Sequence, residues 1–256
     1  MVPDFIKSHP WADRITVLEE VDSTNTRLLA LAREGAPEGT VLIARRQTGG
    51  KGRRGRTFQS QTGGLYLSVL LRPGLSPDRL TLATPMAAVA VLQALETVGV
   101  EAEVKWVNDI LLNGKKLCGI LAETAGPDPA CPGLVLGVGL NVDQRAFPAE
   151  LTGIATSLAL EGYLVSIQSL TKALLDRLPD LASDLAAGKT AHWMQAYARA
   201  CKTLGKPVWV LTGDRRVPAF ARDLGPGGEL LVTWADGSPG IVNAGEVSIR
   251  DRADHA

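Results

Sequence analysis

The chain has 256 residues, enough at roughly 150 residues per domain for one large domain or one domain with a small appendage. Its 27 Lys and Arg balance 27 Asp and Glu, so a generally basic nucleic-acid coat and an acidic tail are both excluded and any electrostatic function must be local. With 45% apolar and 21% charged residues, the composition is that of a folded protein and not of a disordered one.

Residues 1–10 carry Asp4 and Lys7 without an apolar block, and no stretch approaches about 18 uncharged apolar residues, so neither a signal peptide nor a membrane span is expected. Asp22-Ser23-Thr24-Asn25 stands before Leu28, Leu29, Leu31 and Ala32, a capping sequence ahead of an apolar helical stripe that Gly35 ends. Residues 40–44 predict a buried strand running into the glycine- and arginine-rich segment 47–58, and residues 64–72 predict a second strand. Residues 77–98, with little charge after Arg79, are long enough for a buried helix, kinked or split at Pro85.

Across 103–121, Asn113-Gly114 supplies the positive φ angles of a tight turn between two apolar runs, which predicts a β-hairpin. A loop marked by Pro127, Pro129 and Pro132 precedes another buried strand at 133–142, where Gly137 and Gly139 allow something to approach the backbone closely. Residues 166–201 have helical periodicity, broken at Gly188 and restarted after Thr190. Beyond Gly205-Lys206-Pro207, short β-rich runs at 208–211, 217–223, 229–234 and 246–250 suggest a small barrel, and place a domain boundary near residue 205. There is no internal repeat and no low-complexity tract.

The three cysteines, Cys118, Cys131 and Cys201, are odd in number and far apart, which fits a reducing cytosol. Of three histidines, His9 and His255 lie near the termini, so a zinc site or a Ser-His-Asp triad would have to be built on His192 alone; neither is expected.

The most informative stretch is Gln47-Thr48-Gly49-Gly50-Lys51-Gly52-Arg53-Arg54-Gly55-Arg56, in which four cations and four glycines share ten positions. Gly50, Gly52 and Gly55 match a dinucleotide fingerprint, but no helix follows and no acidic residue stands near positions 70–75. A Walker A loop fails because glycine follows Lys51. What remains is a loop whose backbone N–H groups can close on an anion while Lys51, Arg53, Arg54 and Arg56 neutralise it, with a polyphosphate the natural guest. The plain alternative is a solvated basic loop or a nucleic-acid contact. Glycine density favours the anion site, since a solvated loop has no need to bring its backbone against anything.

Lys105-Trp106-Val107-Asn108-Asp109, with Lys116 and Gly119 across the hairpin, could grip a ligand or a magnesium ion. Taken singly, these residues are also turn formers, strand margins and core. Strand alternation puts Lys116 on one face with Cys118 and Ile120, where a buried ammonium needs a partner. Ser23-Thr24 is sufficient as a helix cap, and Asn141 in Gly137-Val138-Gly139-Leu140-Asn141 could merely end a strand.

Together, Asp22-Ser23-Thr24-Asn25, the 47–56 loop, Lys105-Trp106-Val107-Asn108-Asp109, Lys116-Leu117-Cys118-Gly119-Ile120-Leu121 and Gly137-Val138-Gly139-Leu140-Asn141-Val142 resemble the biotin protein ligase family in order and spacing. The resemblance is clear over residues 20–142 and looser beyond. Lys51 stands where the family often has arginine, and Val107 where proline is usual. It implies an α+β fold, a central mixed β-sheet flanked by helices as in class II synthetases and biotin ligases, in residues 1–204, with a small SH3-like β-barrel in 205–256.

It also implies an ATP- and Mg2+-dependent cytoplasmic enzyme that converts biotin to biotinyl-5′-AMP and passes it to a lysine of a biotin carboxyl carrier protein, with a homodimer left open. Only 21 residues precede Asp22, too few for the DNA-binding winged helix of some members, so no DNA partner is expected. By motif position Ser23, Thr24, Asn25, Gln47, Gly50, Lys51 and Gly119 would bind biotin. Lys116 would bridge its carboxylate and the α-phosphate as first catalytic residue, and Arg53 would hold the acyl-adenylate. Arg54, Arg56, Phe58, Lys105, Asn108 and Asn141 would meet the nucleotide. Asp109 would either bind Mg2+ or take the proton of the incoming lysine. Excluding water from a mixed anhydride implies that residues 47–58, with 145–152, are mobile when empty. The alternatives are a lipoate or octanoate ligase of similar core, which the arginine-rich loop disfavours, and a nucleic-acid-binding module, which zero net charge disfavours.

Overall fold

Strand β1 (Ile15–Val21) leads through helix α1 (Thr24–Arg33) to strand β2 (Val41–Gln47), which lies parallel to it. Parallel neighbours cannot be joined by a tight turn, so α1 is the crossover and covers one face of the sheet. The computed structural model describes residues 4–126, 133–213, 215–243 and 248–251. Periodicity does not predict β1. It is an edge strand with only Ile15 buried, and it turns Glu19 and Glu20 toward Arg45 and Arg46 at 3.4 and 2.7 Å, the charged surface expected where a sheet edge meets water.

Strands β3 (Gly64–Leu71), β4 (Glu103–Lys105), β5 (Asp109–Leu112), β6 (Lys115–Thr124) and β7 (Leu134–Asn141) complete a mixed seven-stranded sheet in the order β1-β2-β3-β7-β6-β5-β4. The predicted turn between β5 and β6 is present, with Asn113 and Gly114 at φ 51° and 78°. On one face α1 lays Leu28, Leu29 and Ala32 against Leu42, Leu70 and Val135. The alternate strand residues Ile43, Leu67, Leu136 and Val138 belong to the main core with Met86 and Val89 of α3 (Ala83–Glu96).

Residues 77–98 do split, but not at Pro85. Helix α2 (Pro77–Leu80) ends before α3 begins, and Pro85 sits in the first turn of α3, where its missing N–H has no helical acceptor to lose. Helices α4 (Ile167–Leu175), α5 (Leu178–Ala187) and α6 (Ala191–Ala200) follow; Gly188 at φ 70° ends α5 as expected, and Pro179 opens it.

The C-terminal strands β8 (Lys206–Thr212), β9 (Arg215–Leu224), β10 (Leu230–Trp234), β11 (Pro239–Val242) and β12 (Ser248–Asp251) form a five-stranded antiparallel sheet in the order β11-β10-β9-β8-β12. Its Val208, Val210, Ala221 and Leu230 join the main core. Its β9–β10 turn is hydrogen-bonded to the first sheet's side of the molecule, by Trp106 Nε1 to the Gly228 carbonyl (3.0 Å) and Thr81 Oγ1 to that of Gly227 (2.8 Å). Pro127, Pro129, Cys131, Pro132, His255 and residues 246–247 of the last predicted strand lie outside the described residues. Cys118 and Cys201 are buried free thiols. Among the described residues no helix is long and apolar enough to cross a membrane.

Arg72, just after β3, closes the C-terminus of α1. Its guanidinium donates to the carbonyls of Ala32 (2.9 Å) and Ala36 (3.0 and 3.1 Å), and its own N–H donates to Glu38 Oε2 (2.8 Å). Arg72→Ala leaves those carbonyls without this donor, and at about 2 kcal/mol for a lost charged hydrogen bond a melting scan should read a drop of about 4–8 °C. An unchanged midpoint would refute this role.

Candidate active site

Lys105, Asp109, Gly119, Gly139 and Tyr66 stand opposite one another in register across β4, β5, β6, β7 and β3. Directly opposed residues of antiparallel strands share a face. The two glycines leave the middle of that row bare, and the ring of Phe58 occupies it. A Cβ at Gly139 would come within 2.5 Å of Phe58 Cε1, and one at Gly119 within 3.2 Å of Cε2. Tyr66 meets the same ring edge-on, with centroids 6.4 Å apart. One step along, a Cβ on Gly137 would overlap Asn25 Oδ1, so the glycine pair of β7 admits the start of α1 as well as Phe58. The close approach expected at Gly137 and Gly139 is made by the chain itself.

Lys116 does not share the face of Cys118 and Ile120. The β5–β6 register runs Ile110↔Cys118 and then Leu111↔Lys116, which makes Leu117 the extra residue of a β-bulge. Leu117 and Cys118 are therefore both fully buried, while Lys116 turns to the side of Gly119, where a Cβ would lie 3.1 Å from Lys116 Cε. Simple alternation would have aimed the ammonium at the core. The bulge aims it into a cleft, where its Nζ lies 2.6 Å from Asp109 Oδ1 and 5.7 Å from the centroid of Phe58. Both partners of that ion pair keep some access to solvent, 31% for Lys116 and 29% for Asp109, so an incoming anion can reach the ammonium.

Arg53 enters from the loop, its Nη1 donating to Asn108 Oδ1 at 2.9 Å. Asn108 is fixed in turn by its Nδ2 on the Ile120 carbonyl (3.0 Å) and by Ile120 N–H on its own carbonyl (2.9 Å). Burial lowers the Arg53 pKa, opposed by the nearby Asp109 carboxylate and assisted by Arg54 and Arg56. A guanidinium is not deprotonated in proteins, and a second anion in the cleft would offset the cost of its burial.

The closed end of the cleft is a polar network. Ser23 caps α1, accepting from Thr26 N–H. Gln47 Oε1 accepts from the N–H and hydroxyl of Thr24 (2.8 and 3.1 Å), and Gln47 Nε2 donates to Ser60 Oγ (2.8 Å). Ser68, fully buried on β3, lies 2.7 Å from Thr24 Oγ1 and 2.6 Å from Asn25 Oδ1, while Asn25 Nδ2 donates to Glu123 Oε2 at 2.8 Å. The loop closes over this end through Phe58 N–H on the Gly50 carbonyl (2.9 Å) and Gly52 N–H on that of Arg56 (2.7 Å).

Residues 17–141 match the model of the biotin/lipoate A/B protein ligase family. A biotin--[acetyl-CoA-carboxylase] ligase of Mycobacterium tuberculosis is 36% identical over 244 residues, covering 91% of this chain and 88% of that protein. The chain belongs to the biotin protein ligase family. The bifunctional ligase/repressor BirA of Bacillus subtilis is 39% identical over 158 residues, where the match spans 60% of this chain and about half, 49%, of the relative. A biotin protein ligase of Aquifex aeolicus, solved in complex with biotin and ATP, superposes with a TM-score of 0.80 at 29% identity, over 93% of this chain and 99% of that one.

In this member of the biotin protein ligase family, the cleft is lined by Ser23, Thr24, Asn25, Gln47, Lys51, Arg53, Phe58, Asn108, Lys116 and Gly119, all singled out from sequence, and Asp109 joins them through Lys116. Gly50, Arg54 and Arg56 line an outer groove between the loop and residues 121–123. Two residues expected to meet the nucleotide, Lys105 and Asn141, line neither of these spaces. Lys105 stands at the β4 end of the row, beyond Asp109, and lines neither space. Asn141 is buried because the segment after β7 folds back over it: its Nδ2 donates to the Thr156 carbonyl (2.9 Å) and its Oδ1 accepts from Gln144 Nε2 (3.3 Å). The Trp106–Val107 peptide, where the family usually has proline, is cis, and the Val107 carbonyl accepts from the buried Tyr197 hydroxyl at 3.0 Å.

Sequence reasoning missed Ser60, Ser68, Thr156 and Glu161. Ser68 does leave a signal, as the one polar residue among the apolar ones of 65–71. Thr156 and Glu161 leave none, since they lie in an aperiodic stretch. Among the described residues no group of three or more His, Cys, Asp or Glu gathers to hold a metal; Asp109 is a single carboxylate beside a lysine.

Proposed function

We propose that the protein is an ATP-dependent ligase that activates biotin as biotinyl-5′-AMP and transfers it to a lysine of a biotin carboxyl carrier protein. Residues 1–204 act as the catalytic unit and 205–256 as a small C-terminal unit, in the cytoplasm. The observation that carries this reading is the placing of the Lys116 ammonium and Arg53 beside a closed polar end, with family membership behind it.

Ser23, Thr24, Asn25 and Gln47 present donors and acceptors suited to a cyclic urea, which carries both, whereas a dithiolane or an alkyl chain would make no hydrogen bond with them. Phe58 on the glycine pair gives the ring system an apolar wall. The acid tail then points to Lys116, and a carboxylate oxygen forms a bond to the α-phosphorus as the bond to pyrophosphate breaks. Two anions must meet for this, so Lys116 and Arg53 screen the repulsion, and Lys51, Arg54 and Arg56 meet the leaving phosphates. Magnesium would need only one or two carboxylates if phosphates supplied its other ligands; Asp109 would hold it, and it would supply neutralising charge for the pyrophosphate. In the second step the acceptor ε-amine bonds to the acyl carbon, AMP leaves, and the amine's proton passes to a base, for which Asp109 is the candidate.

Incubation with biotin and MgATP should release pyrophosphate and leave a retained biotinyl-adenylate visible by mass spectrometry. Biotin should raise the thermal midpoint and lipoate should not, since only a ligand of the folded state does so. A rise with lipoate alone would establish the related acyl ligase instead.

A further inference from the structure

The segment after β7 holds a polar clasp that none of the roles above uses. Thr156, fully buried, makes three hydrogen bonds to three different parts of the chain. Its N–H donates to the Lys116 carbonyl (2.9 Å), its carbonyl accepts from Asn141 Nδ2 (2.9 Å), and its hydroxyl donates to Glu161 Oε1 (2.6 Å). The N–H of Lys116 goes to the same segment, donating to the Ile154 carbonyl at 2.8 Å. Both backbone groups of the lysine beside the β6 bulge are thus tied to 154–156, a short bridge outside the sheet.

Glu161 fastens that bridge to the hairpin. Its Oε2 accepts from Asn113 Nδ2 in the β5–β6 turn (2.6 Å), and its Oε1 lies 3.3 Å from Lys115 Nζ as well as accepting from Thr156. The hydrogen bonds from Thr156 and Asn113 hold its carboxyl below the usual glutamate range, so it is a firmly ionised acceptor at neutral pH.

We infer that Thr156 and Glu161 are positioning residues for the reaction: the Glu161 carboxylate locks Thr156 and the hairpin turn together, and Thr156 sets the backbone of Lys116. The inference rests on the catalytic assignment of Lys116 above. The physical reason is the bulge. A β-bulge interrupts the ladder where Lys116 stands, so β5 alone does not fix the angle at which the lysine leaves the strand, and the 154–156 bridge supplies the missing ties. Misplacing a catalytic group by about 1 Å costs on the order of 10²-fold in rate.

The test compares Thr156→Val, which keeps shape and loses the hydroxyl, with Thr156→Ser, which keeps the hydroxyl. Glu161→Ala is the second variant on the other side of the bond. Biotin affinity is read by calorimetry, folding by melting, and the adenylation rate by single-turnover pyrophosphate release with biotin and MgATP. The expected result is a fall of about tenfold or more in that rate for Thr156→Val and Glu161→Ala, biotin Kd unchanged, and a rate recovered to within about threefold of wild type by Thr156→Ser. A wild-type rate in Thr156→Val and in folded Glu161→Ala, or a serine variant no better than valine, would overturn the clasp while leaving the ligase reading intact. A wild-type protein that releases no pyrophosphate with biotin would instead remove the ligase reading itself, and the clasp's role with it.

Discussion

Lys116→Met is expected to slow biotinyl-adenylate formation by about 10³-fold, the upper part of the range for removing one preorganised partner of developing negative charge. Methionine keeps the unbranched chain out to Cε and its packing beside Gly119 and Phe58, so the loss is chiefly that of the charged Nζ. Two effects add in the same direction. The biotin carboxylate and the α-phosphate lose the cation that screens them from one another, and the Asp109 carboxylate, whose Oδ1 now lies 2.6 Å from the ammonium, is left to repel both. Biotin affinity should change far less, because the closed polar end around Thr24 and Gln47 is untouched. Adding Asp109→Asn to Lys116→Met should cost less than the sum of the two single losses, a non-additivity expected of groups in direct contact. Single-turnover measurement of pyrophosphate decides it: a rate within tenfold of wild type would take Lys116 out of the reaction.

Gly50→Ala is expected to weaken biotin binding by about 5- to 150-fold while moving the melting midpoint little. A Cβ at Gly50 would overlap the Phe58 carbonyl and the hydroxyl of Ser60. Ser60 is the acceptor of Gln47 Nε2, and Phe58 returns its N–H to Gly50. The clash thus falls where the loop closes on the ureido end, and backbone on one side of it cannot rotate away. Overpacking costs about 1–3 kcal/mol, which is the quoted range in affinity. The free protein can relieve the strain by opening the loop toward solvent, whereas the bound protein cannot, so the cost appears in Kd and not in stability. Calorimetry with biotin reads the first and a melting scan the second; wild-type affinity would show that the closed loop is not the binding form.

Much of the cleft was legible before any coordinates because its parts are contiguous motifs. A capping Ser23 ahead of an apolar stripe makes α1, and the density of glycine and arginine at 47–56 has no purpose in a solvated loop. Asn113-Gly114 fixes the hairpin, and with it the opposition of Leu112 and Lys115 beside the turn, while the pairing of Asp109 with Gly119 waits on the bulge at Leu117. The boundaries of β3 and β7 and the stop at Gly188 follow from buried runs and glycine in the same way, whereas the break between α4 and α5 at Asp176–Arg177 carries no glycine and was not legible. The strand β1 was not legible, because a charged sheet edge carries no apolar alternation.

Composition and local pattern by themselves determined that the chain folds, that it combines helices with strands, and which residues carry the positive charge and the glycine gaps of the site. Only the tertiary structure decided where those residues point. Whether Lys116 faces core or cleft turns on one extra residue, Leu117, in the β5–β6 register, and period-two reasoning inverts at a bulge that no local signal marks. The Asn141 amide bonds to Thr156, 15 residues further on, and the link between Glu161 and the hairpin turn spans 48 residues. Such contacts are made by chain closure over the sheet, and the energy that selects them depends on burial that exists only once the core has formed.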